Sequence, residues 1–194
     1  MRESVEVCDS EIIHASLQVP DRFAALYERY AGVLFGYACQ RLGRAAAEDA
    51  VADTFLAAFA QRRRYDLART DARPWLFGIL TNKIARRGRD ERIHYRASVR
   101  AWQAPVDDGP EEAVAERVSA QAQRGALAEA LCRLSAADRS ALLLFAWGQL
   151  SYDEVAQALE IPVGTVRSRL HRARRKVRAA LAAVPETNRT QVSE

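Results

Sequence analysis

The stretch Pro162-Val163-Gly164-Thr165-Val166-Arg167-Ser168-Arg169-Leu170-His171-Arg172-Ala173-Arg174-Arg175-Lys176-Val177-Arg178-Ala179-Ala180-Leu181 decides the reading of this chain. Val166, Leu170, Ala173, Val177 and Leu181 recur at steps of four, three, four and four, which places them on one stripe of a helix. Pro162 suits the first helical position, where the missing N–H leaves nothing unpaired. The remaining surface carries Arg167, Arg169, Arg172, Arg174, Arg175, Lys176 and Arg178 with no acid among them. A helix that buries one stripe and shows cations elsewhere suits a polyanion.

Upstream, Ser151 and Glu154 have the S-x-x-E spacing of a capping box, and Leu150 and Val155 that of a hydrophobic staple. They predict a short helix from about Tyr152 that stops before Pro162. Short helix, tight turn and basic second helix form the helix-turn-helix pattern, whose second helix enters a major groove. Thr165 and Ser168 stand near its N-terminal end, and Arg169 and Arg172 follow, arginine being able to read guanine bidentately.

The rest of the chain is helical in pattern as well. Phe23, Leu26, Tyr27, Tyr30, Leu34 and Ala38 keep helical spacing up to Gly43. Gly32 and Gly36 within that run predict close approach of a neighbouring helix. A second helix runs from about Ala45 to Arg62 on Val51, Phe55 and Phe59, with Glu48, Asp49 and Asp53 near its start. After a polar loop over Tyr65–Ala72, a third begins at Arg73-Pro74, with Trp75, Leu76, Ile79 and Leu80 on its apolar side. Its far end carries Asn82, Lys83, Arg86 and Arg87. Residues 104–110, APVDDGP, are dense in breakers and read as linker. Helix resumes at Glu111 through about Arg133. Ser135 and Asp138 repeat the cap spacing before the apolar run 141–147. No alternating β-branched run bounded by turns appears.

The fold class expected is therefore all-α, two small helical domains joined by a flexible linker. The boundaries are an N-terminal tail at 1–19, either loose or a short unstable helix, a first domain at 20–95, a linker at 96–124, a second domain at 125–183 and a tail at 184–194. A net charge of +4 and a pI near 9.2 favour an anionic partner, and the clustering of the cations says so more strongly. Cys8, Cys39 and Cys132 form no C-x-x-C pair, which fits a reducing compartment and speaks against a zinc site. The first residues lack the apolar core of a signal peptide, and no run is long enough to span a bilayer.

These motifs resemble the extracytoplasmic-function branch of the sigma-70 family of bacterial transcription initiation factors. The resemblance lies in Phe23-x-x-Leu26-Tyr27-x-Arg29-Tyr30, Ala47-Glu48-Asp49-x-Val51-x-Asp53-Thr54-Phe55 and Arg73-Pro74-Trp75-Leu76-x-x-Ile79-x-x-Asn82 in the first domain. In the second it lies in Leu134-x-x-x-Asp138-Arg139, Leu150-Ser151-Tyr152-x-Glu154-Val155-Ala156 and the run Pro162–Arg174. It implies that the first domain is region 2, a helical bundle, and the second is region 4, the helix-turn-helix. Carried over by motif, Asp49, Asp53 and Thr54 become contacts to core RNA polymerase, whose β and β′ subunits are the expected partners. Asn82, Lys83, Arg86 and Arg87 become contacts to the melted −10 element, assisted by the Tyr65–Ala72 loop. Thr165, Arg167, Ser168, Arg169, His171, Arg172 and Arg175 become contacts to the −35 duplex. The resemblance also implies a cytoplasmic location and suggests an anti-sigma factor as a further partner. Arg44 departs from the family pattern, where an acid often follows the Arg-Leu-Gly motif.

Two other readings compete. A helix-turn-helix regulator that is not a sigma subunit would have no use for the acid-bearing helix followed by a Trp-anchored basic one. An enzyme finds little support, because His14, His94 and His171 are far apart and no H-E-x-x-H, G-x-S-x-G or Walker-type loop is present. No catalytic residue, metal site or cofactor is expected.

Overall fold

A computed structural model describes residues 7–88, 91, 93–97 and 111–184, with side chains described for all of these except 111–119. Among the described residues the chain is helical throughout, with turns between helices and no strand. Helices α1 (Asp9–Ser16), α2 (Ala24–Leu42), α3 (Arg44–Gln61) and α4 (Arg73–Arg86) make up the first half. Helices α5 (Glu111–Arg133), α6 (Ala136–Ala146), α7 (Tyr152–Leu159) and α8 (Val163–Ala182) make up the second.

In the first half, α2 and α4 both pack on α3 and on each other. Leu26, Leu34 and Ala38 of α2 meet Ala47, Val51 and Phe55 of α3 and Leu76, Phe77 and Leu80 of α4, all buried. Gly43 ends α2 at a φ of +79°, a conformation that only glycine takes without strain. It leads directly into α3.

The second half depends on its caps. The Ser135 side chain accepts from the Asp138 N–H and starts α6. The predicted box at α7 is complete: Ser151 N–H donates to Glu154 Oε2 at 2.6 Å, and Glu154 N–H donates to Ser151 Oγ at 3.2 Å. Val155 and Ala158 of α7, Leu143 and Leu144 of α6, and Val166, Leu170 and Ala173 of α8 are buried together. Helix α8 begins one residue later than its sequence pattern suggests, with Pro162 as the N-cap.

Two expectations change. Residues 9–16, assigned to a tail, form a helix whose Ile12, Ile13, Ser16 and Asp9 are buried against the first half. The N-terminal part of the 1–19 assignment, residues 1–6, lies outside the described residues. Gly32 and Gly36 are exposed and face open space, so no helix among the described residues approaches there. The close approach occurs at Gly78 instead. A Cβ there would lie 2.5 Å from the carbonyl oxygen of Ala158, so α4 and α7 touch backbone to backbone.

That contact joins the two halves, and polar contacts reinforce it. The Arg73 guanidinium donates to the Gly148 carbonyl at 2.7 Å. Deeper in the seam, Glu91 receives two arginines, Arg41 of α2 at 2.6 Å and Arg139 of α6 at 3.0 Å. All three side chains are buried to within 2%. Arg41 also donates to Tyr37 Oη, and Arg139 to the Leu131 and Leu134 carbonyls at the end of α5. One carboxylate thus links the first half to the second.

Candidate polymerase and nucleic-acid interface

Asp49 and Asp53 are four residues apart on α3 and project from the same exposed face. They are not isolated acids. The Arg87 guanidinium, just past the end of α4, lies 3.4 Å from Asp53 Oδ2 and 3.9 Å from Asp49 Oδ2. Thr54, expected beside them as a polymerase contact, is fully buried, and its hydroxyl donates to the Ala50 carbonyl at 2.7 Å. Its position on the helix, one residue past Asp53, turns it toward the core. In this arrangement Thr54 offers no surface to a partner. Leu56 is the large apolar residue most exposed on this helix and was not anticipated, because no spacing rule selects a lone exposed leucine.

The structure divides the four residues assigned to the −10 element. Asn82, Lys83 and Arg86 line one groove with Trp75 and Ile79. The groove is about 340 Å³ in volume, and Gln157 and Glu160 of the second half form its opposite wall. Arg87 points the other way, toward the acids of α3. The loop before α4 is tied down despite its polar composition. Tyr65 is buried, its ring lies tilted against Trp75 with centroids 4.9 Å apart, and its hydroxyl donates to the carbonyls of Arg69 and Asp71. Burial and the nearby carboxylates of Asp9 and Asp71 push the Tyr65 phenol well above its ordinary pKa.

On α8 the predicted residues fall on two flanks. Arg167, His171 and Arg175 share a groove of about 440 Å³ with Arg174, Arg178 and the Tyr152 ring of α7. Residues 167, 171, 174 and 178 repeat at four, three and four, the same spacing that marks the apolar stripe, so this basic stripe was available to pattern reading. Arg174 is held in place by Tyr152 Oη at 3.0 Å and by the Phe145 ring 4.8 Å away. At 100° per residue, Thr165, Arg169 and Arg172 take the other flank. Arg172 donates to Asp138 at 3.0 Å, and Ser168 spends its hydroxyl on the Thr165 carbonyl. A base edge would have to compete for both groups.

Comparison with known proteins follows the same division into two halves. Residues 26–93 match Sigma-70 region 2 and residues 124–177 match Sigma-70 region 4. The ECF RNA polymerase sigma factor SigL of Mycobacterium tuberculosis is 35% identical over 158 residues, covering 81% of this chain and 87% of that protein. The chain belongs to the extracytoplasmic-function branch of the sigma-70 family. SigW of Bacillus subtilis, another such factor, is 28% identical over 83% of this sigma factor and 89% of its own length. The structure of CnrH in complex with the cytosolic domain of CnrY superposes with a TM-score of 0.62 at 26% identity, covering 91% of this chain and 99% of CnrH. The sigma factor RpoE of Bartonella quintana, in complex with the anti-sigma factor NepR, gives a TM-score of 0.56 at 25% identity over 85% of this chain and 99% of RpoE. This sigma factor binds core RNA polymerase and directs it to promoters through −10 and −35 elements. No helix among its described residues is long and apolar enough to cross a membrane.

Proposed function

We propose a division of labour among the side chains of this sigma factor. Asp49 and Asp53 contact the polymerase core through its β′ clamp, and region 4 touches the β flap. Asn82, Lys83 and Arg86 hold the opened −10 strand. Thr165, Arg167, Ser168, Arg169, His171, Arg172 and Arg175 engage the −35 duplex, with Arg174 and Arg178 completing the basic groove. Arg87 joins the −10 set only when Asp53 has another cation beside it. The boundaries belong to the same reading: region 2 over about 20–95, extended N-terminally by α1, and region 4 over about 125–183. The reading carries with it a cytoplasmic location, a protein without catalytic groups of its own, and an anti-sigma partner like the one bound to RpoE.

The observation that supports it best is that Asn82, Lys83 and Arg86 of α4 line one groove while the cations of α8 line another. A backbone-tracking basic groove beside a polar amide suits a single strand, whereas a helix following a capped turn suits a duplex. Replacing Asn82, Lys83 and Arg86 together by alanine tests the split. Holoenzyme containing that variant is expected to lose permanganate-detected promoter opening, while the full chain keeps its affinity for a −35 duplex. Normal opening would move the −10 site elsewhere.

A second expectation concerns α8. Arg169 lies near the helix start and Arg175 nearly two turns later. A bidentate arginine–guanine contact discriminates by about 1–3 kcal/mol, whereas a phosphate contact adds a salt-dependent, sequence-blind term. Arg169→Ala is expected to relax preference at one −35 position. Arg175→Ala is expected to weaken all −35 variants alike and lower the salt slope by about one. Affinities for every single-base −35 variant at several salt concentrations decide between the two roles. Uniform weakening by Arg169→Ala would make it a backbone contact.

A further inference from the structure

Helix α1 precedes the part of the chain that matches region 2, which begins at residue 26, so the family match says nothing of what α1 does. Its first residue is the centre of a polar network. Asp9 is 2% exposed. Its Oδ1 accepts from Arg29. Its Oδ2 accepts from Tyr30 Oη at 2.5 Å and from the Ala72 N–H at 2.7 Å. Its own N–H donates to the Thr70 carbonyl at 3.1 Å. Two of these bonds, from residues 63 and 61 positions away, end on the last turn of the loop that precedes α4.

The reason Asp9 is needed there lies in the sequence of that loop. Ala72 is the N-cap of α4 and has no side chain to offer the helix. Capping by serine, threonine, asparagine or aspartate normally satisfies one of the orphan N–H groups at a helix start. Asp9 supplies a carboxylate from another helix, at an end where the helix dipole favours negative charge. Asp71 serves the next N–H, accepting from Arg73 at 2.8 Å. Burial, with the hydrogen bond from its hydroxyl to Asp9, drives the Tyr30 phenol well above its ordinary pKa, so this donor does not titrate away.

We infer that Asp9 is a positioning residue for −10 recognition: it fixes residues 70–72 and the start of α4, and thereby the placement of the Tyr65–Ala72 loop and of Asn82 and Lys83. This rests on the assignment of that loop and helix to the −10 element. Its substrate is the one proposed above, the exposed bases and phosphates of an opened strand. Asp9 itself touches none of them.

The test uses holoenzyme carrying Asp9→Asn on promoters with a constant −35 element and every single-base −10 variant. Asparagine keeps the shape but turns one oxygen into an N–H₂ donor, which then faces donors from Arg29, Tyr30 or Ala72. Transcript ratios among the −10 variants are expected to shift about tenfold, the scale of one lost charged buried hydrogen bond. Affinity for core polymerase and preference among −35 variants are expected to stay unchanged. Ile13→Ala, on the same helix and fully buried but without a bond to the loop, is the control for plain loss of stability. If Asp9→Asn and Ile13→Ala alter the ratios equally, or neither does, the positioning role is overturned. Arg69→Ala, on the exposed part of the loop, runs on the same promoters. If it too leaves every −10 ratio unchanged while Asn82→Ala also does, the −10 assignment itself has failed and the inference falls with it. A shift with Arg69→Ala and none with Asp9→Asn overturns only the role of Asp9.

Discussion

Replacing Glu91 by alanine destabilises the protein by about 3–5 kcal/mol, the usual cost of removing one partner from a buried ion pair. The carboxylate neutralises Arg41 and Arg139, whose side chains are at most 2% exposed. Without it two guanidinium groups face each other out of contact with water. Their remaining partners, Tyr37 Oη and the carbonyls of Leu131 and Leu134, are neutral and do not cancel the charge. Because Arg41 belongs to α2 and Arg139 to α6, the loss acts on both halves at once. Urea unfolding followed by circular dichroism is expected to show an earlier midpoint and, for the variant, two transitions where the parent shows one. Replacing all three residues by apolar ones of similar size, Arg41→Met, Glu91→Leu and Arg139→Met, is expected to restore most of the stability, since a packed apolar trio avoids the desolvation cost. An Glu91→Ala variant as stable as the parent would mean that the seam is open and wet in solution.

Asp49→Arg with Asp53→Arg abolishes binding to core polymerase. Two attractive charges become repulsive ones, and like charges brought together across an interface cost several kcal/mol, so affinity falls by at least about a hundredfold. Both side chains are well exposed, so helical content is expected to remain that of the parent. Fluorescence anisotropy of labelled protein titrated with core enzyme measures the affinity. Arg87→Ala is the informative companion: it removes the intramolecular partner of the same acids without reversing their charge and is expected to leave core binding intact or slightly tighter. Full affinity in the double variant would mean that the two acids do not make the core contact, and exposed Leu56, three residues past Asp53 on the same side of α3, would be the first residue to examine.

What pattern reading could find were the features that one element carries within itself. The cap at Ser135, the capping box at Ser151, the buried Val166, Leu170 and Ala173 of α8 and the division into two helical halves need only spacings of three and four, whereas Leu181 at the end of the expected stripe is exposed. The features that needed a distant partner did not show. A short helix such as α1 is marginal by itself in water, and what holds it is Arg29, Tyr30 and the backbone at Thr70 and Ala72. Nothing near Arg41 or Arg139 in the chain announces their shared partner Glu91. The choice between Gly36 and Gly78 as the close-contact glycine depends on what packs against each, and only α7 settles it. At the site, helical spacing grouped Asn82, Lys83 and Arg86 as one set. It could not tell that Thr54 faces inward or that Arg87 already has acids beside it.

Arg87 has a thermodynamic consequence for how the two surfaces of region 2 communicate. One guanidinium cannot fully neutralise Asp53 and a nucleic-acid phosphate at the same time. A polymerase cation that takes over Asp53 therefore leaves Arg87 with more affinity for an anion. By reciprocity, an anion that draws Arg87 away raises the affinity of Asp53 for a cation by the same factor. The pair is half in solvent, so the coupling free energy is about 1 kcal/mol or less, a factor of about five in either equilibrium. It screens further as salt rises. On the proposed assignment of Asp53 to the polymerase and Arg87 to the −10 strand, Arg87 would be a weak, graded link between engaging the enzyme and engaging the promoter, and would need no change of fold to operate.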